Sequence, residues 1–505
     1  MVSMPLSPHP PLAARRLKPG SRAACRRVAV LVMAWGWATA ALAQPAGVSL
    51  ANRSVPCVER VDAAAATPPA RLPNLRYDCL RLAGGQPVLV GRAGRPGAPL
   101  VLLVHGLGQN AHRDWAPVIG ELSQRFQVAT VDLPGFGASP APGQAYEFEN
   151  LGKLLANLVD KLAPGQRVHV VGHSLGAALS LAFAHRHADR VDRLVLVDAA
   201  GILLKPIFVQ ALARRRLPQL GVPPLDHLLR FVEARVHDLS SQLLLGRDDR
   251  YDFLPWLVRN PDVRQALLGS SVQMDAAIGL VEHDFTAAIR ETRAPTTLLW
   301  GRDDRIAPLR TGQLLAARLP QAQLHVIDDA GHTPMLDRPA TFNNLLLAAL
   351  IGPAPQHVAD EVPPGVSQGD VVCRSQDDVT YSGRFDRLTL ERCGSVRIAQ
   401  AQIGQLIVNA STVSITDSTI SSDDVALLAS GSEIRATAVL ISGRVAIRTD
   451  NSWFDLAGVS LRARDEGVDL LPGRGSRLFF SVSDWQGSDY RGDAHFIWPR
   501  GGADK

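Results

Sequence analysis

"VVGHSLGAAL", residues 170 to 179, sets a serine between two glycines, Gly172-His173-Ser174-Leu175-Gly176, directly behind a short apolar run. A serine hydroxyl is a poor nucleophile until a base removes its proton, and a sharp strand-to-helix turn is one way of holding it clear of the backbone. The glycines permit that turn, because a side chain at either place would crowd the adjoining strand or helix. "RVHVV" supplies the strand and "LGAALSLAFAHRH" the helix. One G-x-S-x-G is a weak signal by itself, so the residues around it in the chain decide its meaning.

Working outward, short β-branched or Leu-rich runs alternate with longer helical patterns from about residue 75 to 351: "PLVLLVHG", "QVATVDLPG", "RVHVVGHS", "RLVLVDAAG", "TTLLWGRDD" and "QLHVIDDAGH". That alternation predicts an α/β fold with a largely parallel sheet covered by helices. Between about 200 and 284 it gives way to a mostly helical insert, read as a lid. A nucleophilic serine needs a base, and the base needs a carboxylate to orient it. In chain order these are expected after later strands. "TTLLWGRDDRIAP" ends a strand at Asp303-Asp304, and "LHVIDDAGHTP" ends the next with His332. Both lie at strand C-terminal ends, where parallel sheets carry their sites.

With these residues in view, the stretch from 75 to 352 resembles the α/β-hydrolase family, in its serine hydrolase and esterase branch. The resemblance rests on "HGLG" at 105–108, "DLPGFGAS" at 132–139, "GHSLG" around Ser174, "GRDDRIAP" from Gly301 and "GHTP" from Gly331. It implies Ser174 as nucleophile, His332 as general base and Asp304 as the residue orienting the imidazole. Asp304 is preferred to Asp303 because the family pattern, Gly-x-x-Asp followed by a basic and an apolar residue, matches Gly301, Asp304, Arg305 and Ile306; Asp303 is expected to cap the loop. The resemblance also assigns the oxyanion hole to the backbone N–H groups of Leu107 and Leu175. Donors of this kind matter because losing one costs about 3–4 kcal/mol of transition-state stabilisation. His105, His173, Asp132 and Asp198 are expected to shape loops, while His112, His185, His187 and His283 read as surface or packing residues.

Serine in the turn argues against the haloalkane dehalogenase and epoxide hydrolase branches, which use aspartate there. An acyl-enzyme route remains, open to esters, thioesters, lactones and the β-diketones of carbon–carbon bond hydrolases. The N-terminus moves the balance toward a small-molecule carboxylic ester. Residues 1–43 read as a signal peptide, with Arg15, Arg16, Lys18, Arg22, Arg26 and Arg27 ahead of "VAVLVMAWGWATAALA" and cleavage before Gln44. The alternative, an uncleaved anchor, is disfavoured because the apolar run is shorter than the ~20 residues that span a bilayer. An exported, periplasmic or secreted protein follows. Cys25 leaves with the signal, and in an oxidising compartment Cys57 with Cys79 and Cys373 with Cys393 are expected disulfides by proximity.

The formal charge is +5, with 53 Lys and Arg against 48 Asp and Glu in 505 residues, and scattered basic residues give no case for nucleic acid. No Cys/His spacing suits a metal, and no cofactor is implied. After an extension over 44–74 and the α/β-hydrolase domain over 75–352, a proline-rich linker is expected at 353–368 and a second domain at 369–505. In that domain alternating segments recur, opened by Ser395, Thr412, Ser432, Ser452 and Ser476. Starts about 17 to 24 residues apart predict a parallel, right-handed β-helix-like solenoid whose coils bury their apolar faces by stacking. The stretch around Asp423 and Asp424 is similar to one coil of the pectin-degrading glycosidases, but their later Gly-His-Gly and Arg-x-Lys elements are missing, so these aspartates read as turn residues. A polysaccharide or cell-surface partner would be met by exposed aromatics, with Trp453, Trp485, Tyr490 and Trp498 as candidates.

Overall fold

The computed structural model describes residues 72, 75–108, 110–142, 148–204, 272–355, 365–472 and 475–499. All belong to the unit Ser54–Lys505 into which the chain's contacts divide it. The residues expected to form the signal peptide, most of the expected N-terminal extension, residues 205–271 of the expected lid and residues 356–364 of the expected linker lie outside the described residues. Among the described residues no helix is long and apolar enough to cross a membrane.

Eight strands form the first sheet: β1 (Arg76–Arg81), β2 (Pro87–Gly94), β3 (Leu100–Val104), β4 (Gln127–Val131), β5 (Val168–His173), β6 (Val191–Val197), β7 (Thr296–Gly301) and β8 (Ala322–Ile327). Their order is β1-β2-β4-β3-β5-β6-β7-β8, with β1, β2 and β4 antiparallel in turn and the rest parallel. The central strands are continuous apolar runs because helices cover both faces. Their alternation divides the core: Leu102, Val170, Leu196 and Leu298 point to one layer, Val101, Leu103, Val171, Val195 and Leu299 to the other.

The helices are α1 (Ala116–Leu122), α2 (Phe148–Leu162), α3 (Leu175–Arg186), α4 (Val272–Glu282), α5 (Thr286–Glu291), α6 (Leu309–Arg318), α7 (Pro334–Asp337) and α8 (Pro339–Ile351). In α2 the buried Leu151, Leu155, Leu158 and Leu162 lie on one face, with Lys153, Asp160 and Lys161 exposed on the other. Helix α3 is apolar nearly all round over Leu175–Leu181 and is buried accordingly.

The C-terminal region is strand-rich and curls one sheet round on itself. Its strands are β9 (Asp370–Arg374), β10 (Thr380–Glu391), β11 (Val396–Asn409), β12 (Thr412–Ser421), β13 (Val425–Ser430), β14 (Glu433–Gly443) and β15 (Val445–Asp450). They continue as β16 (Trp453–Ala457), β17 (Ser460–Ala463), β18 (Val468–Leu470), β19 (Arg477–Ser481), β20 (Ser483–Gln486), β21 (Arg491–Ala494) and β22 (Ile497–Trp498). Parallel ladders stack like residues in columns. Val396, Val413, Ile434, Phe454 and Leu478 form one column. Leu406, Leu427, Ile447 and Val468 form a second, and Ile403, Ile420, Ile441, Leu461 and Trp485 a third. All are buried.

At the corners the backbone turns through positive φ, at Arg392, Ala410, Gly431 and Asn451. A buried amide at such a corner has no strand partner and needs another acceptor. Serine supplies it. Cys393 N donates to Ser411 Oγ at 2.8 Å, Ser411 N to Ser432 Oγ at 3.2 Å, Ser432 N to Ser452 Oγ at 3.1 Å and Ser452 N to Ser476 Oγ at 3.1 Å. The hydroxyl residues expected to open the alternating segments do so: Thr412 begins β12, and Ser395, Ser432, Ser452 and Ser476 stand directly before β11, β14, β16 and β19. The hydrogen-bonded column at the corners runs through Cys393, Ser411, Ser432, Ser452 and Ser476. Cys393 is disulfide-bonded to Cys373 with Cα atoms 6.5 Å apart. Cys79 is also disulfide-bonded, and Cys57 lies outside the described residues.

The two regions share a core. Ala457 and Val482 are fully buried in the cluster that contains Leu314 and Leu315 of α6, and Trp453, Phe479 and Ile497 pack against it.

Candidate active site

Ser174 stands between β5 and α3 at φ 52° and ψ −116°, a sparsely populated conformation that costs a residue with a side chain of order 1–3 kcal/mol. The turn is tight enough to require its glycines: a Cβ at position 172 would lie 2.3 Å from Gly176 O, and one at 176 would lie 2.4 Å from both His105 O and Val104 O. Ser174 N donates to Val197 O of the neighbouring strand at 2.9 Å, which anchors the turn to β6.

The residues paired with it in the sequence arrive from the ends of β7 and β8. His332 Nε2 lies 2.9 Å from Ser174 Oγ, and His332 Nδ1 lies 2.8 Å from Asp304 Oδ2. The Asp304 side chain is fully buried and that of His332 only 15% exposed. Asp304 uses its other oxygen locally, where Oδ1 accepts Ile306 N at 2.7 Å and Ala307 N at 3.0 Å. The loop cap expected of Asp303 is therefore made by Asp304 itself. Asp303 is exposed and ties the loop through its backbone N–H to Ala330 O.

Chemically, the arrangement allows Nε2 to take the serine proton while Nδ1–H stays bound to a carboxylate. Leu175 opens α3, so its N–H belongs to the first turn, where amides have no carbonyl of their own helix to bond and the dipole favours an anion. The loop carrying Leu107 lies alongside: a Cβ on Gly106 would stand 3.0 Å from Ser174 Cβ. Both leucines thus border the serine.

The flanking polar residues are structural. His173 donates from Nε2 to His332 O at 2.6 Å, and burial, with the nearby His332 charge, pushes its imidazole down to about 3. It is neutral at working pH. His105 accepts Leu133 N on Nε2 at 3.0 Å and meets Gly106 O through Nδ1 at 2.6 Å, with burial lowering its pKa. Asp132 receives Ala138 N at 3.0 Å and both the backbone and ring of His112, at 3.1 and 2.8 Å. Burial raises this carboxyl, but the His112 hydrogen bond and charge outweigh it and hold it below its ordinary value.

His112 corrects the sequence reading. It is a buried partner of Asp132 and, through Nε2, of Tyr77 Oη at 3.0 Å. No motif in the sequence links these three positions, since they meet only through the sheet. Asp198 also does more than the sequence suggests. It is fully buried at the end of β6, in the left-handed region at φ 44°, and its Oδ1 accepts Gly301 N at 2.9 Å. Burial, and then the Asp304 carboxylate beside it, push it well above the usual carboxylate range. A neutral Asp198 can donate to Asp304 without competing for His332.

Among the described residues no group of three or more His, Cys, Asp and Glu is arranged to hold a metal. Of the aromatic candidates for a polymer surface, one is buried and three are half-buried against other rings. Trp485 is fully buried, Tyr490 and Trp498 pack against it, and Trp453 packs on Phe479. Asp423 and Asp424 are exposed, and Asp424 pairs with Arg444 at 2.7 Å.

Residues 99–339 match the family described as alpha/beta hydrolase fold. A poly(3-hydroxyalkanoate) depolymerase of Ectopseudomonas oleovorans is 34% identical over 249 residues, covering 49% of this chain and 82% of that protein. A 2-hydroxy-6-oxo-2,4-heptadienoate hydrolase of Pseudomonas putida is 32% identical over 261 residues, covering 50% of this chain and 88% of the relative. A 2-hydroxy-6-oxononadienedioate/2-hydroxy-6-oxononatrienedioate hydrolase of Cupriavidus pinatubonensis is 29% identical over 265 residues, with 50% and 86% covered. The family match ends ahead of the C-terminal strands.

Proposed function

The chain belongs to the α/β-hydrolase family, and from that premise we propose that it is an exported serine hydrolase cleaving carboxylic esters through an acyl-enzyme on Ser174. The observation that carries this reading is the pair of contacts of His332, 2.9 Å to Ser174 Oγ and 2.8 Å to Asp304 Oδ2. In the proposed cycle Ser174 Oγ attacks the ester carbonyl as its proton passes to His332 Nε2. The oxyanion is held by the N–H groups of Leu175 and Leu107. His332 then protonates the departing alkoxide, water adds to the acyl-enzyme with His332 as base, and the acid leaves. His173 stays neutral and steadies the His332 backbone.

Ester cleavage is favoured over the carbon–carbon alternative by the apolar N-terminal run with its basic approach, which supports export, and by the Cys373–Cys393 disulfide, which suits an oxidising compartment. The depolymerase relative is named for a polyester, and that agrees with an ester substrate. The two relatives named for 2-hydroxy-6-oxo acids keep a second reading in view, carbon–carbon bond hydrolysis on the same residues.

We read the C-terminal region as a parallel β-solenoid, which the stacked parallel registers support. Polysaccharide or surface binding by that region draws no support from its aromatics, which are engaged with other rings of the fold.

The test is a panel of short acyl esters, thioesters, lactones and a 2-hydroxy-6-oxo dienoate with the chain beginning near Gln44, together with fluorophosphonate labelling. Turnover of esters and labelling, both lost in Ser174→Ala, is the expected result. Undiminished labelling of that variant overturns the nucleophile, and turnover of the dienoate alone overturns the ester.

A further inference from the structure

The outward face of the strand β16 carries a carboxylate where exposure to water would be expected. Phe454 and Leu456 point into the strand region's core, so Trp453, Asp455 and Ala457 face away from it. That face meets α6, and the Asp455 side chain is 3% exposed. Its partner is Arg310, in the first turn of α6. One terminal nitrogen of Arg310 meets Asp455 Oδ1 at 3.0 Å, the other contacts Oδ2, and Nε donates to Thr437 Oγ1 of β14 at 3.2 Å.

Two further arginines cross the same boundary, on other turns than the one that follows the Asp304 loop. Arg318, in the last turn of α6, binds Asp484 Oδ1 at 2.6 Å and Ser460 Oγ at 3.1 Å. Arg290 of α5 reaches Ser483 O and Asp493 Oδ1, each at 2.9 Å. Arg310 differs by what precedes it. Helix α6 begins directly behind the loop in which Asp304 Oδ1 caps Ile306 N and Ala307 N, and Ala307 O in turn takes Trp300 Nε1 at 2.8 Å. Any shift in the first turn of α6 therefore pulls on the segment that aims Asp304 Oδ2 at His332.

We propose that Asp455, supplied by the C-terminal strands, is a positioning residue for the candidate site: through Arg310 it fixes the first turn of α6 and with it the loop that presents Asp304 to His332. The inference rests on the hydrolase reading above. A guanidinium fork on a carboxylate holds direction as well as distance. Once buried, a charge that loses its partner is driven toward water and takes its backbone with it. The strand region on this view completes the hydrolase, and is not an appendage to it.

The test uses the full chain and two measurements: hydrogen exchange over the Asp304 loop, including the Ile306 and Ala307 amides, and the kinetics of fluorophosphonate acylation per labelled site. In Asp455→Asn the loop amides should exchange at least about tenfold faster, and the limiting acylation rate should fall about tenfold with the half-saturating probe concentration unchanged. Thr437→Val, which removes one contact without orphaning a charge, should move both in the same direction by less. Asp484→Asn and Asp493→Asn, at the other crossings, should move neither. Unchanged exchange and rate in Asp455→Asn overturn the proposal, as do equal changes in the two control variants. If Asp455→Asn does not fold, Thr437→Val decides by the same criteria. A wild-type protein that refuses the probe counts against the hydrolase reading, and exchange alone then decides the positioning role.

Discussion

His173 donates its Nε2 hydrogen to the backbone carbonyl of His332 at 2.6 Å, so the residue before the serine holds the chain that carries the base. The ring donates from Nε2 in either protonation state, and burial keeps it neutral by pushing its pKa down to about 3. His173→Gln, which can still donate, should retain most activity; His173→Ala should lower kcat/KM about tenfold, since base and serine are aligned to a fraction of an ångström. Stability gives the sign of the titration. The depressed pKa means that the unfolded chain binds a proton the folded chain refuses between pH 6.5 and about 3, so His173 costs stability as pH falls through that window, by up to roughly 1.4 kcal/mol per pH unit. Denaturation midpoints of His173→Gln across pH 4 to 7 should be flatter than those of the wild type, and equal slopes would dismiss the argument.

Asp304 and Asp303 are adjacent and chemically identical, and the structure separates them. Asp304→Asn keeps the cap on Ile306 and Ala307 but presents an amide to His332 Nδ1, which favours the wrong tautomer; kcat should fall by about 10⁴. Asp303→Asn should stay within a few-fold of wild type, because that side chain is exposed. Ester hydrolysis rates of the two variants measured side by side check this. Comparable losses would mean that the carboxylate has been misassigned.

The strand-to-helix turn at Ser174 and the strand ends at Asp304 and His332 were legible because each is a local pattern: glycines at fixed offsets, an apolar run, a polar residue where the run stops. The curled C-terminal sheet was legible through its spacing, with Ser395 and Thr412 at the first two strand starts, whereas the corner hydrogen bonds through Ser411 were not, because the corners are set by backbone dihedrals that left no mark in residue type at Arg392 and Ala410. His112, Asp198 and Asp455 were not legible as site-related residues. Each acquires its role from a partner distant in the chain, Asp132, Gly301 and Arg310 respectively, and only the assembled layers bring those pairs together.

Asp198 predicts an effect of the opposite sign to His173. Its pKa is raised well above the usual carboxylate range by burial and by Asp304, so its contribution is full below the unfolded value near 3.8 and is lost as pH rises toward the folded one. Asn at this position is permanently neutral, can accept Gly301 N with its oxygen and can donate to Asp304 with its amide. Asp198→Asn should therefore match the wild type in thermal midpoint near pH 4 and exceed it progressively toward pH 8, while remaining active. A midpoint lower than wild type at pH 8 would show that Asp198 is charged in the fold.

The serine column offers a stability test independent of any activity. Ser432 Oγ accepts Ser411 N at 3.2 Å and donates to Ser430 O at 2.8 Å, in a corner from which water is excluded. Ser432→Ala leaves a buried amide without its acceptor, at a cost of about 1–3 kcal/mol. Thr412→Ala, at a place the sequence pattern also marked, removes an exposed hydroxyl and should change stability by less than about 0.5 kcal/mol. Chemical denaturation followed by tryptophan fluorescence separates the two, because Trp485 lies in the same stacked core. Equal effects at 432 and 412 would remove the corner hydrogen bonds as the reason for serine in the column.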